Sequence, residues 1–146
     1  MQTTSPSRPD LASHLRLAIA RMARRLRQQA PDLTPSQTAA LATIEKHGPL
    51  TPSELAARER VQRPTITRLL AFLEGSELVV RAGDPTDRRS SLVTISPAGA
   101  ALLQAGRVRK DAYLARKLER LPAEDLLTLD RAADILERLV EEDGEQ

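Results

Sequence analysis

Residues 51–99 read TPSELAARERVQRPTITRLLAFLEGSELVVRAGDPTDRRSSLVTISPAG. Two short helices, an arginine-bearing hairpin and the start of a long helix account for this stretch. Thr51 opens the first helix. Pro52 follows in the first turn, where its missing amide costs nothing, and Glu54 stands three residues after Thr51, the spacing of a capping box. A turn through Arg60 and Val61 leads to Gln62, at the N-cap of a second helix that again has a proline, Pro64, in its first turn. On that helix Ile66, Leu69, Leu70 and Leu73 recur at i, i+3, i+4, i+7 and make one apolar face. The opposite face carries Pro64, Thr67, Arg68 and Ala71, flanked by Arg63, Thr65 and Phe72. Near its N-terminus that face is short and able to hydrogen-bond, as a helix entering the major groove by its first turns requires.

Beyond it, residues 78–81 and 92–95 read as strands joined by AGDPTDRRSS. Gly, Pro and Asp form turns, and Arg88 and Arg89 near the tip of such a hairpin can reach phosphates or a minor groove. Asp87 is expected to brace this loop by locking a neighbouring guanidinium through a bidentate pair, since no second acid or histidine stands at a spacing useful for catalysis. Helix, turn, helix and basic hairpin together spell a winged helix-turn-helix reader of double-stranded DNA. The candidate contacts are Gln62, Arg63, Pro64, Thr65, Thr67 and Arg68 on the helix, and Asp87, Arg88 and Arg89 on the wing. Arg68 is expected to read bases and Arg63 to hold a phosphate, while Gln62 is divided between capping and base contact.

The run ERVQRPTITRLLAFLE, with ELVVR, DPTDRRSSLVTI and SPAG after it, resembles the multiple-antibiotic-resistance regulator (MarR) family of bacterial transcription regulators. The matching pieces are the recognition helix, the strand ending in Arg81, Asp87-Arg88-Arg89, and Ser96-Pro97-Ala98-Gly99; the likeness extends over about residues 10–142. It implies a mainly α fold with a small β wing. Residues 34–96 form the reader, and residues 10–33 with 97–142 form a helical dimerisation region. It also implies a short third strand at Gly48-Pro49-Leu50, and effectors that are small phenolic or lipophilic molecules bound between dimer helices and reader. Two positions depart from the family pattern. Glu77 stands where the family has glycine, with Gly75 two residues earlier, which implies a reshaped turn; Phe72 replaces a basic or polar residue, which implies one phosphate contact fewer.

The flanks are helical by periodicity. Residues 1–9 are Ser-, Thr- and Pro-rich and read as a disordered tail. A helix over 10–29 carries the stripe Leu11, Leu15, Ile19, Met22, Leu26, a packing face whose partner is either this chain or a second copy. Thr34 and Gln37 frame a capping box for a helix over 34–46. After Pro97, Leu102, Leu103, Val108, Leu114, Leu118 and Leu121 give a long imperfect stripe, with Gly106 a weak point in it. In the last helix Leu126, Leu129, Ala133, Leu136 and Val140 step like a heptad seam. So many apolar seams are hard to bury in one chain of 146 residues, and a homodimer buries them.

Composition bounds the rest. With one Tyr and one Phe, the core is aliphatic, and an aromatic cage for an effector is poorly supplied. The net charge of +2 says little; its distribution, arginines from Arg58 to Arg89 and acids from Glu119 onward, says more. There is no cysteine for disulfide or thiolate chemistry. His14 and His47 lack company for a metal site, and no cofactor loop or nucleophile–base set is present. No apolar run approaches the ~20 residues of a membrane span, and the N-terminus is no secretory signal, so a cytoplasmic location is expected. The expectation is therefore a homodimeric, non-enzymatic repressor that binds an inverted-repeat operator and responds to a small molecule. A non-specific or architectural DNA-binding protein is the alternative.

Overall fold

A computed structural model describes residues 4–144. The order is α1 (Arg8–Gln28), α2 (Pro35–His47), α3 (Pro52–Glu59), α4 (Arg63–Gly75), β1 (Val79–Asp84), β2 (Asp87–Ile95), α5 (Pro97–Leu118) and α6 (Ala123–Gly144). Two compact units divide the chain, one ending at Lys110 and the other starting at Asp111. Residues 1–3 of the expected tail, and the last two residues, lie outside the described part. Residues 4–7 have no regular structure, but α1 begins at Arg8, two residues earlier than periodicity predicts, because the Ser7 hydroxyl caps it by accepting from the Asp10 amide at 3.2 Å.

The first unit is built around one aliphatic core. Leu41 and Ile44 of α2, Leu55 of α3, Ile66, Leu70 and Leu73 of α4 and Val93 of β2 are its fully buried large side chains. Each contributes about 1.5–3 kcal/mol of burial. Leu103 of α5 joins the same core, so the first turns of α5 belong with the reader. Gly106, read from sequence as a weak point, is buried in an unbroken helix; a Cβ there would lie 3.3 Å from the Ala30 Cβ.

The local signals held unevenly. The Thr34–Gln37 capping box is complete in both directions. At α3 only half forms: the Thr51 hydroxyl accepts from the Glu54 amide at 3.1 Å. Gln62 occupies the N-cap of α4 in extended conformation, yet its side chain makes no capping bond. The third strand shrinks to one bridge, Leu50 and Val93 exchanging amide–carbonyl bonds of 3.0 and 2.7 Å. The Gly48–Pro49 peptide before it is cis.

The turn after α4 closes as a regular helix cap. Glu77 itself takes the left-handed conformation (φ 60°), and Gly75 does not. The Leu78 amide donates to the Leu73 carbonyl and the Glu77 amide to that of Glu74, both at 2.9 Å, the pair of bonds of a Schellman motif. Leu73 and Leu78 bury together beneath it. Ser96 closes the turn from the far side. Its hydroxyl donates to the Glu77 carbonyl at 2.7 Å and accepts from the Gly99 amide at 3.0 Å. Gly99 is required by space: a Cβ there would stand 2.2 Å from the Leu78 carbonyl oxygen.

Neither α1 nor α6 buries a residue. Ile19 and Met22 on α1 are 47% and 42% exposed, and within the second unit Leu129 and Val140 on α6 are 48% and 70% exposed.

Candidate nucleic-acid interface

Recognition by a helix requires a polar, unobstructed face. On α4 the apolar residues at i, i+3, i+4, i+7 go into the core, which turns Arg63, Pro64, Thr67, Arg68 and Ala71 outward, all exposed, with Thr65 half-buried. Gln62 is exposed just ahead of them. Arg68 makes no side-chain hydrogen bond or ion pair among the described residues, so its guanidinium is free for a ligand. Arg63 is engaged: it donates to the Ser53 hydroxyl on α3 and links the two helices. Thr67 donates its hydroxyl proton back to the Arg63 carbonyl at 3.0 Å. It therefore presents a methyl group and acceptor lone pairs, not a donor. Phe72 is 42% exposed on the flank of this face.

The wing differs from its sequence reading in two ways. The strands run on to a two-residue turn, Pro85-Thr86, so Arg88 and Arg89 lie within β2 and not in an open loop. Pairing is regular from Val79↔Ile95 to Gly83↔Ser91 and then jumps to Asp84↔Asp87. Arg88, Arg89 and Ser90 are thus left over on β2 as a bulge. A bulge bends its strand and re-aims the side chains on it; both arginines are exposed and without ion-pair partners among the described residues.

Asp87 does brace the wing, though not through a guanidinium. Its carboxylate accepts from the Arg89 backbone amide at 2.9 Å and so holds the bulge's main chain, leaving the Arg89 head group outward. Asp84 does the same for the turn, accepting from the Thr86 amide at 2.9 Å and the Thr86 hydroxyl at 2.7 Å. The Thr86 amide first, and its hydroxyl second, hold the Asp84 carboxyl below the usual carboxylate range. At the end of α2, partial desolvation and then the like charges of Arg58 and Lys46 push the His47 imidazole below its usual value.

Sequence reasoning passed over three members of this surface. Thr86 is at the wing turn, Ser53 holds Arg63, and Arg81 pairs with Glu74 and Ser91. Only Thr86 left a signal, as the polar residue after a proline in a turn; the other two depend on contacts between separate elements.

An exposed polar recognition helix beside a two-stranded basic hairpin defines a winged helix-turn-helix protein. The family model for the MarR family matches residues 33–91. An HTH-type transcriptional regulator of Mycobacterium tuberculosis is 41% identical over 134 residues, 90% of this chain and 94% of that protein. The HTH-type transcriptional repressor MdtR of Bacillus subtilis is 31% identical over 109 residues, 75% of this chain and 68% of its own. Among solved structures, a transcriptional regulator protein of Pseudomonas aeruginosa PA01 superposes with a TM-score of 0.83 at 34% identity, covering 92% of this chain and 98% of that one. The chain belongs to the MarR family: it is a DNA-binding transcriptional regulator and not an enzyme. Among the described residues no helix is long and apolar enough to cross a membrane.

Proposed function

We propose that this protein is a homodimeric repressor that reads an inverted-repeat operator with α4 in the major groove and the wing arginines on the flanking backbone or minor groove. The observation that carries the reading is the outward face of α4, where Arg68 stands free of ion pairs, together with the wing bulge on which Arg88 and Arg89 are exposed. A bidentate Arg68–guanine contact is worth about 1–3 kcal/mol of discrimination. Arg63, Gln62, Pro64, Thr65 and Thr67 line the same entry, with Thr67 suited to an amino donor or a thymine methyl. Asp87 acts by shaping the bulge. The bare apolar stripes of α1 and α6 support a second copy as their partner, and the likeness to the transcriptional repressor MdtR supports repression.

A response to a small molecule has a candidate cavity within the first unit. It measures about 100 Å³ and is lined by the apolar Ala30, Leu33, Ala42, Leu102 and Leu103 and by the charged Asp32, Arg107, Arg109 and Lys110. Drug-sized pockets start near ~300 Å³, so this cavity suits a small aliphatic or phenolic effector with one anionic end.

Selection of bound duplexes from a random library, with sedimentation of the free protein, tests the whole reading. The expected result is a two-fold motif with half-sites about 10 base pairs apart and a dimer at micromolar concentration. A monomer that selects a single half-site overturns it, and a library that returns no motif favours the architectural alternative.

A further inference from the structure

Arg81 lies two residues beyond the buried Val79 on β1 and pairs across the sheet with the buried Val93, so it shares the sheet face that covers the core. Its side chain runs past the edge of that core. There Nε donates to the Glu74 carboxylate on the last turns of α4, and Nη1 donates to the Ser91 hydroxyl on β2 at 3.3 Å. Ser91 pairs with Gly83 and is the last regular rung before the bulge of Arg88–Ser90. One guanidinium therefore joins the recognition helix, the first wing strand and the rung from which the wing arginines spring.

We infer that Glu74 and Arg81 form a strut that sets the pitch of the wing against the recognition helix, making both positioning residues for the DNA contacts of Arg88 and Arg89. The lever arm gives the strut its effect. From Val79 to Asp84 the wing projects about 17 Å at ~3.3 Å per residue, so a tilt of about 10° at its root moves the tip by about 3 Å, the length of a hydrogen bond. The backbone bonds of the Glu77 turn hold the root only. The Arg81 contacts lie further out, where they resist tilting with more leverage. The inference rests on the wing reading given above, and one of its tests is independent of DNA.

The chain has no cysteine, so Ala71→Cys on α4 and Thr86→Cys at the wing turn accept a pair of spin labels without background. In the full-length protein without DNA, the label-to-label distance distribution is expected to be narrow and to broaden in Glu74→Gln and in Arg81→Gln. In unlabelled protein each change is expected to weaken binding to the preferred duplex about 3–10-fold. That loss disappears when Arg88 and Arg89 are both alanine, persists when Arg68 is alanine, and is recovered by the reversed pair Glu74→Arg with Arg81→Glu. Glu74 is a partly exposed helix residue, so Glu74→Gln keeps the fold and reports even if Arg81→Gln does not. An unchanged distance distribution overturns the strut, whatever the DNA result. So does tighter DNA binding by Glu74→Gln, which would make Arg81 a phosphate ligand for which Glu74 competes. If removing Arg88 and Arg89 leaves DNA binding intact, the wing reading fails and the distance measurement alone decides the strut.

Discussion

Glu77 bears a left-handed backbone that costs a side-chain-bearing residue about 1–2 kcal/mol relative to glycine. The turn keeps this conformation because Leu73 and Leu78 bury beneath it and Ser96 holds its carbonyl. Glu77→Gly is therefore expected to raise stability by about 0.5–1 kcal/mol, after the extra entropy of glycine in the unfolded chain, as read from urea denaturation with an unchanged slope. A second residue-scale prediction concerns Asp84. Its folded pKa lies below the unfolded value, so the stabilisation it brings is present above the unfolded pKa and is lost as pH falls through the folded one. A carboxyl-carbon NMR titration is expected to place its midpoint below that of an ordinary aspartate. Thr86→Ala removes the hydroxyl donor but keeps the amide, and should move the midpoint part of the way back. An ordinary midpoint in the parent protein would show that the turn bonds do not persist in solution.

Among the elements, α4 and the wing are expected to fail differently when damaged. Arg68→Ala removes the one free guanidinium of the helix face, so it should weaken the preferred site most and flatten the preference between sequences. Arg89→Ala removes a bulge side chain whose contacts carry little base information. It should weaken all duplexes more evenly and lower the salt slope by about one unit. Asp87→Ala should act in the same direction as Arg89→Ala and less strongly, because it loosens the bulge's main chain while leaving the charge. Titrations of the three variants at several salt concentrations, on the selected site and a scrambled one, separate these outcomes. An Arg89→Ala protein with unaltered affinity and salt slope would remove the wing from the interface.

For the molecule as a whole, the proposed cover of the terminal helices is a second copy of the chain. Ile19 on α1 is about half exposed in the single chain, so Ile19→Glu should cost the folded monomer little, within about 0.5 kcal/mol. In a dimer that buries the stripe, the same change places a carboxylate against apolar side chains. Sedimentation equilibrium is expected to show dimerisation at least about tenfold weaker, with the monomer's helical circular dichroism retained. An unchanged dimer constant would mean that α1 stays in water and that the interface is elsewhere.

The sequence by itself determined the elements and their inward faces. A 3.6-residue period puts Ile66, Leu70 and Leu73 on one side of α4 whatever surrounds them, and proline and threonine mark the helix starts by local bonds alone. It also determined, by the same geometry, that Arg68 must point away from that core. Periodicity tells which residues share a face, but not what lies against it. Leu103 and Leu129 sit in similar apolar stripes, yet the first is buried in the reader core and the second is bare. Only the tertiary structure decided that difference, along with the left-handed turn at Glu77, the bulge at Arg88–Ser90 and the Arg81 contacts to Glu74 and Ser91. The Ser96 bond to Glu77 spans 19 residues and the Arg81 bond to Ser91 spans 10, so both join partners brought near from elsewhere in the chain. No local propensity encodes a bond whose other half is supplied by the fold.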